Sequence, residues 1–145
     1  MRTPTRTEPV RTEPVRTEPV RTMVLWCPDW PVRASGAGPG ARVAVLKANR
    51  VVACSTAARL EGVAIGLRRR QAEARCPGLV VLSHDEARDA HAFERVVTAV
   101  AAFTPLVEVT RPGLCGFATR GPARYFGGEE QLAALVAAAA DAATR

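Results

Sequence analysis

Few residues in this chain are of a type that does chemistry, so their spacing is the first thing to weigh. The four cysteines are Cys27, Cys54, Cys76 and Cys115. None stands close enough to another for the short separation that places two sulfurs on one zinc ion or in one redox motif. The two histidines, His84 and His91, are seven residues apart and have no companion ligands nearby in sequence. No metal site is expected, and the cysteines read as reduced thiols of a cytoplasmic protein. What remains is Asp29, set in the stretch MVLWCPDWPV (23–32), a second carboxylate at Glu108, and arginines at Arg59, Arg68, Arg69 and Arg70. Three consecutive arginines span most of a helical turn, so they cannot all face one groove.

Net charge is +6 and the isoelectric point is near 10.1. That balance favours a polyanion such as nucleic acid, although an arginine-rich composition without such a partner gives the same number. Apolar residues make up 48% of the 145, enough for one modest domain, but aromatics are only 5%. The core must therefore be built from small side chains that each bury little area. The N-terminus lacks the apolar run of a secretory signal. The longest uncharged apolar run, 132–140, is too short to span a bilayer.

Residues 1–22 differ in kind. RTEPV recurs three times in register, and a proline every fifth residue forbids a helix. This stretch reads as a disordered, polyproline-like repeat tail, with Met23 as an alternative start. The folded part is then 23–145. Residues 23–26 read as a short buried strand that Pro28 and Pro31 stop, with Trp26 in the core and Trp30 open to either reading. A Gly/Pro loop, 34–42, leads to a hairpin with strands 42–46 and 51–54 around a tight turn at 47–50. Ser55 and Thr56 offer caps for a short helix, 57–61, and a second helix spans 68–75. Residues 79–82 (LVVL) read as a buried strand. Ser83 and Glu86 have capping-box spacing for a helix reaching Phe103, with Phe93, Val96, Val97, Val100 and Phe103 as its apolar stripe. Strands 106–110 and 114–118 flank the Pro112-Gly113 turn, and a final alanine-rich helix spans 129–143. Hairpins mixed with helices argue an α+β fold with a mixed or antiparallel sheet and flanking helices.

On VACSTAARLEGVAIGLRRRQAEARCPGLVVL (52–82), VEV (107–109) and ARYFGG (123–128), the chain resembles the N-terminal part of a Y-family (DinB/UmuC-type) DNA polymerase. It is closest to the catalytically degenerate ImuB-like branch. The resemblance implies a partial palm and fingers domain over 23–145, with the C-terminal remainder absent. Either the chain is a fragment or its gene is broken.

The family reaction needs two Mg²⁺ ions about 4 Å apart, held by carboxylates. The resemblance places the first of these positions at Pro28 and the other two at Gly113 and Leu114. None of the three side chains can ligate a metal, so no catalytic residue and no cofactor are expected. Asp29 is one residue out of register, and in an extended strand that shift turns a side chain to the opposite face. Glu108, alternating with Val107 and Val109, reads as an exposed strand charge. The resemblance assigns Arg59 to the triphosphate of an incoming nucleotide, but Thr56 stands where a partner tyrosine is expected. Arg59 therefore holds a phosphate or pairs with Glu61 or another acid. Leu67, Arg68, Arg69 and Arg70 fall where the fingers approach DNA, with one or two arginines on backbone phosphates.

The implied function is a non-catalytic polymerase-like subunit that binds damaged primer–template DNA in the cytoplasm, at the nucleoid, and acts with an active error-prone polymerase. The implied partners are DNA and, through regions absent here, an error-prone replicative-type polymerase, a RecA-like accessory protein and the sliding clamp. Two readings stand against it: an active translesion polymerase using Mg²⁺ on nearby acids, and a truncated remnant that binds nucleic acid weakly.

Overall fold

The computed structural model describes residues 19–145, so the repeat at 1–18 lies outside the described residues. Among the described residues there are two three-stranded sheets and six helices. The α+β expectation holds. The repeat's last two residues join the fold rather than the tail. Thr22 pairs with Ala118, and Arg21 meets Glu129 at 2.8 Å.

The first sheet runs in the order β1 (Thr22–Trp26), β6 (Leu114–Ala118), β5 (Glu108–Arg111), all antiparallel. Helices α4 (Glu86–Ala101) and α6 (Glu129–Ala143) pack together against it. They supply Phe93, Val96, Val100, Leu132, Val136 and Ala140 to a core shared with Cys115 and Phe117. Both helical stripes recur at three- and four-residue spacing, which keeps one face on the sheet. Among the described residues, nothing covers the sheet's other face. Val24 and Trp26 alternate with the half-buried Met23 and Leu25, and Trp26 is 63% exposed rather than in the core. An all-apolar strand carries no sign of which face is covered, and here the exposed face takes the largest residue.

The buried tryptophan is Trp30. It opens a short helix, α1 (Trp30–Ala34), where Pro28 and Pro31 had signalled only a stop. Pro31 sits in the first turn, where a missing N–H costs no helical bond. Its neighbour Trp30 packs edge-on to Phe93 at 5.1 Å and donates its indole N–H to the Asp89 carbonyl at 2.9 Å.

The second sheet has the order β3 (Arg50–Cys54), β2 (Val43–Lys47), β4 (Val80–Ser83). β2 and β3 form the expected hairpin, with Ala48 and Asn49 both left-handed, as a two-residue primed turn requires. β2 is central and covered on both faces. Ala44 and Leu46 meet the helices α2 (Thr56–Leu60) and α3 (Arg69–Arg75), while Val43 and Val45 meet Val32 of α1. β4 is an edge strand parallel to β2, and Val80 is 52% exposed. Its apolar run is not fully buried as expected, because no described residue covers its outer side.

One further expectation is corrected. The cap of α4 is Asp85, whose carboxylate accepts the Arg88 N–H at 2.9 Å, so Ser83 ends β4 instead. A six-residue helix, α5 (Arg120–Tyr125), occupies a stretch to which no element was assigned from sequence.

Candidate functional site

Where the two sheets face each other they leave a cleft of about 670 Å³, lined among others by Trp26, Pro28, Asp29, Arg59, Ile65 and Arg111. The first sheet builds one wall. Trp26 pairs with Leu114, and the Cys27 N–H donates to the Gly113 carbonyl at 2.7 Å. This ties the end of β1 to the β5–β6 turn. Pro28, Gly113 and Leu114 thus lie near one end of the first sheet, and their side chains carry no donor oxygen. Gly113 has φ +87°, and a Cβ there would lie 2.6 Å from the Trp30 Cβ.

The carboxylate in this cleft is Asp29. It is not a strand residue, so strand alternation does not orient it. Its backbone is left-handed (φ 52°, ψ 37°), which turns its side chain in toward α2. There Arg59 donates from Nη2 to Asp29 Oδ2 at 2.7 Å, and the Cys54 backbone N–H donates to Oδ1 at 3.3 Å. The Asp29 side chain is 19% exposed and that of Arg59 51%. The acid that Arg59 meets is Asp29, not Glu61. The hydrogen bond to Asp29 pushes the Arg59 guanidinium's pKa further up. Burial raises the Cys54 thiol, against the opposing charge of Arg59, whose Nη2 lies 3.7 Å from the sulfur.

Glu108 is exposed, as expected, and lines a different hollow with Thr22, Phe117 and Ala118. Asp29 and Glu108 therefore do not share a site. Among the described residues, no three His, Cys, Asp or Glu side chains converge as a metal centre. A two-metal site needs several hard oxygen ligands, and one carboxylate already held by a guanidinium does not supply them. The residues present do not fit a Mg²⁺ pair.

The arginine run lies away from the cleft lining. Arg68 precedes α3, and its backbone N–H donates to Gln71 Oε1 at 2.9 Å. Arg69 pairs with Glu73 at 2.8 Å. Arg70 is exposed and has no ion-pair partner among the described residues. Leu67 packs partly buried against the second sheet's core, so its side chain serves the fold.

Sequence reasoning missed Arg111, next to the Pro112-Gly113 turn, and Ile65, which is 65% exposed at the cleft. An apolar residue in a loop rich in glycine was the available signal for Ile65. It also missed a cluster behind the cleft. Asp89, 2% exposed, takes two hydrogen bonds from Arg88 at 2.8 and 3.1 Å and lies 3.3 Å from His84 Nε2. His84 itself lines the cleft.

A search of curated proteins finds no match. Among solved structures, the chain is similar to one titled "Dbh Ternary Complex (substrates partially disordered)", with a TM-score of 0.70 at 12% identity over 84% of this chain. It is also similar to a Y-family DNA polymerase chimera of Dbh and Dpo4, with a TM-score of 0.62 at 14% identity over 81% of this chain. In both cases it covers 37% of the solved chain, so it spans little more than a third of their length. At these identities the likeness establishes the fold alone. The sequence model of the impB/mucB/samB family matches residues 38–145, which take in the hairpin, Arg59, the arginine run and the Gly113 turn. Matched over most of its length and folded like the corresponding part of the Dbh polymerases, the chain belongs to the impB/mucB/samB family of Y-family polymerase domains.

Proposed function

We propose that this chain is a non-catalytic Y-family polymerase-like subunit of the ImuB-like branch, which binds damaged primer–template DNA and works beside an active error-prone polymerase. The observation that carries the reading is Gly113. The backbone there is left-handed, and the space a side chain needs is taken by Trp30. A carboxylate at this position requires the turn to be rebuilt. Pro28 and Leu114 beside it add no ligand, and Asp29 is engaged by Arg59.

The DNA-facing role is supported by family membership, by the +6 charge, by Arg111 exposed at the cleft and by Arg70 exposed outside it. Contacts of this kind hold phosphates and weaken with salt. The partial palm and fingers domain takes in 21–145, two residues more than the sequence boundary at 23. Its further partners, an error-prone replicative-type polymerase, a RecA-like accessory protein and the sliding clamp, are met through regions outside this chain, in the cytoplasm at the nucleoid. The test is primer extension with Mg²⁺ or Mn²⁺ beside a primer–template binding titration. Salt-sensitive binding without nucleotide incorporation is the expected result. Incorporation that Asp29→Ala abolishes would overturn the proposal.

A further inference from the structure

A guanidinium and a backbone N–H converging on one oxyanion form the ligand set that proteins use for phosphoryl oxygens. In this chain that set is complete, and a carboxylate already sits in it. Arg59 Nη2 and the Cys54 N–H hold the two oxygens of Asp29 at 2.7 and 3.3 Å. We propose that Asp29 is a built-in counter-ion occupying an anion site in the cleft, so that the polyphosphate of a nucleotide is refused while the arginine stays in place. The proposal rests on the reading of this cleft as a metal-free, DNA-facing one and says what the cleft excludes.

Three observations carry it. The carboxylate lies on the inner side of the pair and the guanidinium on the outer, so an anion arriving from solvent meets a cation already neutralised from behind. Asp29 reaches this place through a left-handed backbone (φ 52°), a conformation that few residues other than glycine adopt and that aspartate and asparagine tolerate best. Arg59 and Asp29 both line the cleft of about 670 Å³ and a neighbouring one of about 300 Å³, so the ion pair stands as the partition between two open spaces. A polyphosphate entering either space brings like charge against Asp29, and the loss of the ion pair opposes its binding.

The test is calorimetric titration of the full chain with inorganic tripolyphosphate and with a deoxynucleoside triphosphate, no metal added. The wild type should bind both weakly. Asp29→Asn keeps the shape and the backbone preference but removes the charge, and should tighten both by about tenfold or more. Asp29→Gly takes the same φ without strain and should show the same gain, which keeps the test decisive if the asparagine variant folds poorly. Adding Arg59→Ala to either should erase the gain. Wild-type affinity equal to that of both variants, or a gain that survives Arg59→Ala, overturns the counter-ion. Primer–template affinity and, in separate aliquots with Mg²⁺ added, primer extension are read on the same protein preparations. Incorporation by the wild type would sink the non-catalytic reading, whereas an absent gain with DNA binding intact would sink only the counter-ion.

Discussion

Gly113 backs onto Trp30, so that a Cβ added to the glycine falls 2.6 Å from the tryptophan Cβ and 3.1 Å from its Cγ. Side chains are excluded twice at this position, by contact and by the left-handed φ. Gly113→Ala should destabilise the chain by about 2–4 kcal/mol, combining backbone strain with overpacking. Urea denaturation measures this. A loss below about 0.5 kcal/mol would mean that the turn yields easily and that an acid could be seated there.

The two tryptophans should behave oppositely. Trp30 is 4% exposed, stacks edge-on with Phe93 and hydrogen-bonds Asp89, so Trp30→Ala should cost about 3–5 kcal/mol. Trp26 stands on the uncovered sheet face, and Trp26→Ala should cost less than about 1 kcal/mol. Denaturant midpoints of the two variants decide it. Equal losses would place Trp26 in a packed environment that the first sheet does not show.

Asp89 should prove the most sensitive charged residue. It is buried against Arg88 and His84, and its removal leaves the Arg88 guanidinium without its carboxylate. Asp89→Ala should cost about 3 kcal/mol, since breaking one side of a buried pair strands the other. A change within about 0.5 kcal/mol in a denaturant melt would show that water takes over this contact at no cost.

The thiols predict an alkaline limit. Burial pushes Cys27, Cys54 and Cys115 above the ordinary thiol value of 9.0. In the unfolded chain these groups ionise first, so above that value the unfolded state binds fewer protons and stability falls as pH rises. The contribution is fully present below about pH 9 and is lost through the window up to the raised folded values. Urea midpoints should fall above about pH 9, and Cys27→Ala with Cys115→Ala should shrink the fall. A pH dependence unchanged in that double variant would rule the thiols out as its cause.

The arginine run separates by partnership. Arg69 is held by Glu73, whereas Arg70 is exposed without an ion-pair partner among the described residues. Arg70→Ala should weaken primer–template binding uniformly across sequences and lower the salt slope by about 1. Arg69→Ala should do less. Fluorescence anisotropy at several salt concentrations tests this, and an unchanged slope in Arg70→Ala would make that arginine surface charge only.

Much of the fold could be read from local pattern, where one stretch carried its own boundary signals. The hairpin turn at Ala48 and Asn49 lies between two β-branched runs, and Gly127 and Gly128 announce the last helix. The failures share a cause. Pro31 reads as a stop whether it ends a strand or starts α1, and the stretch holding Gly121 and Pro122 drew no helix assignment although both fit in the first turn of α5. Trp26 and the residues 79–82 lie in all-apolar runs with no polar alternation to tell the covered face from the open one. At the site, Asp29 and Arg59 each stood out alone. Their pairing depends on a left-handed turn and on a packing of α2 thirty residues away, and neither leaves a local mark in sequence.

The central claim, that this cleft receives DNA without a metal pair, is tested most directly by crystals of the chain with primer–template DNA, Mn²⁺ and a deoxynucleoside triphosphate. Anomalous scattering from manganese should be absent beside Pro28, Gly113 and Leu114, with the Asp29–Arg59 pair still closed. Two manganese peaks near 4 Å apart in that cleft, with Asp29 as a ligand, would contradict the account.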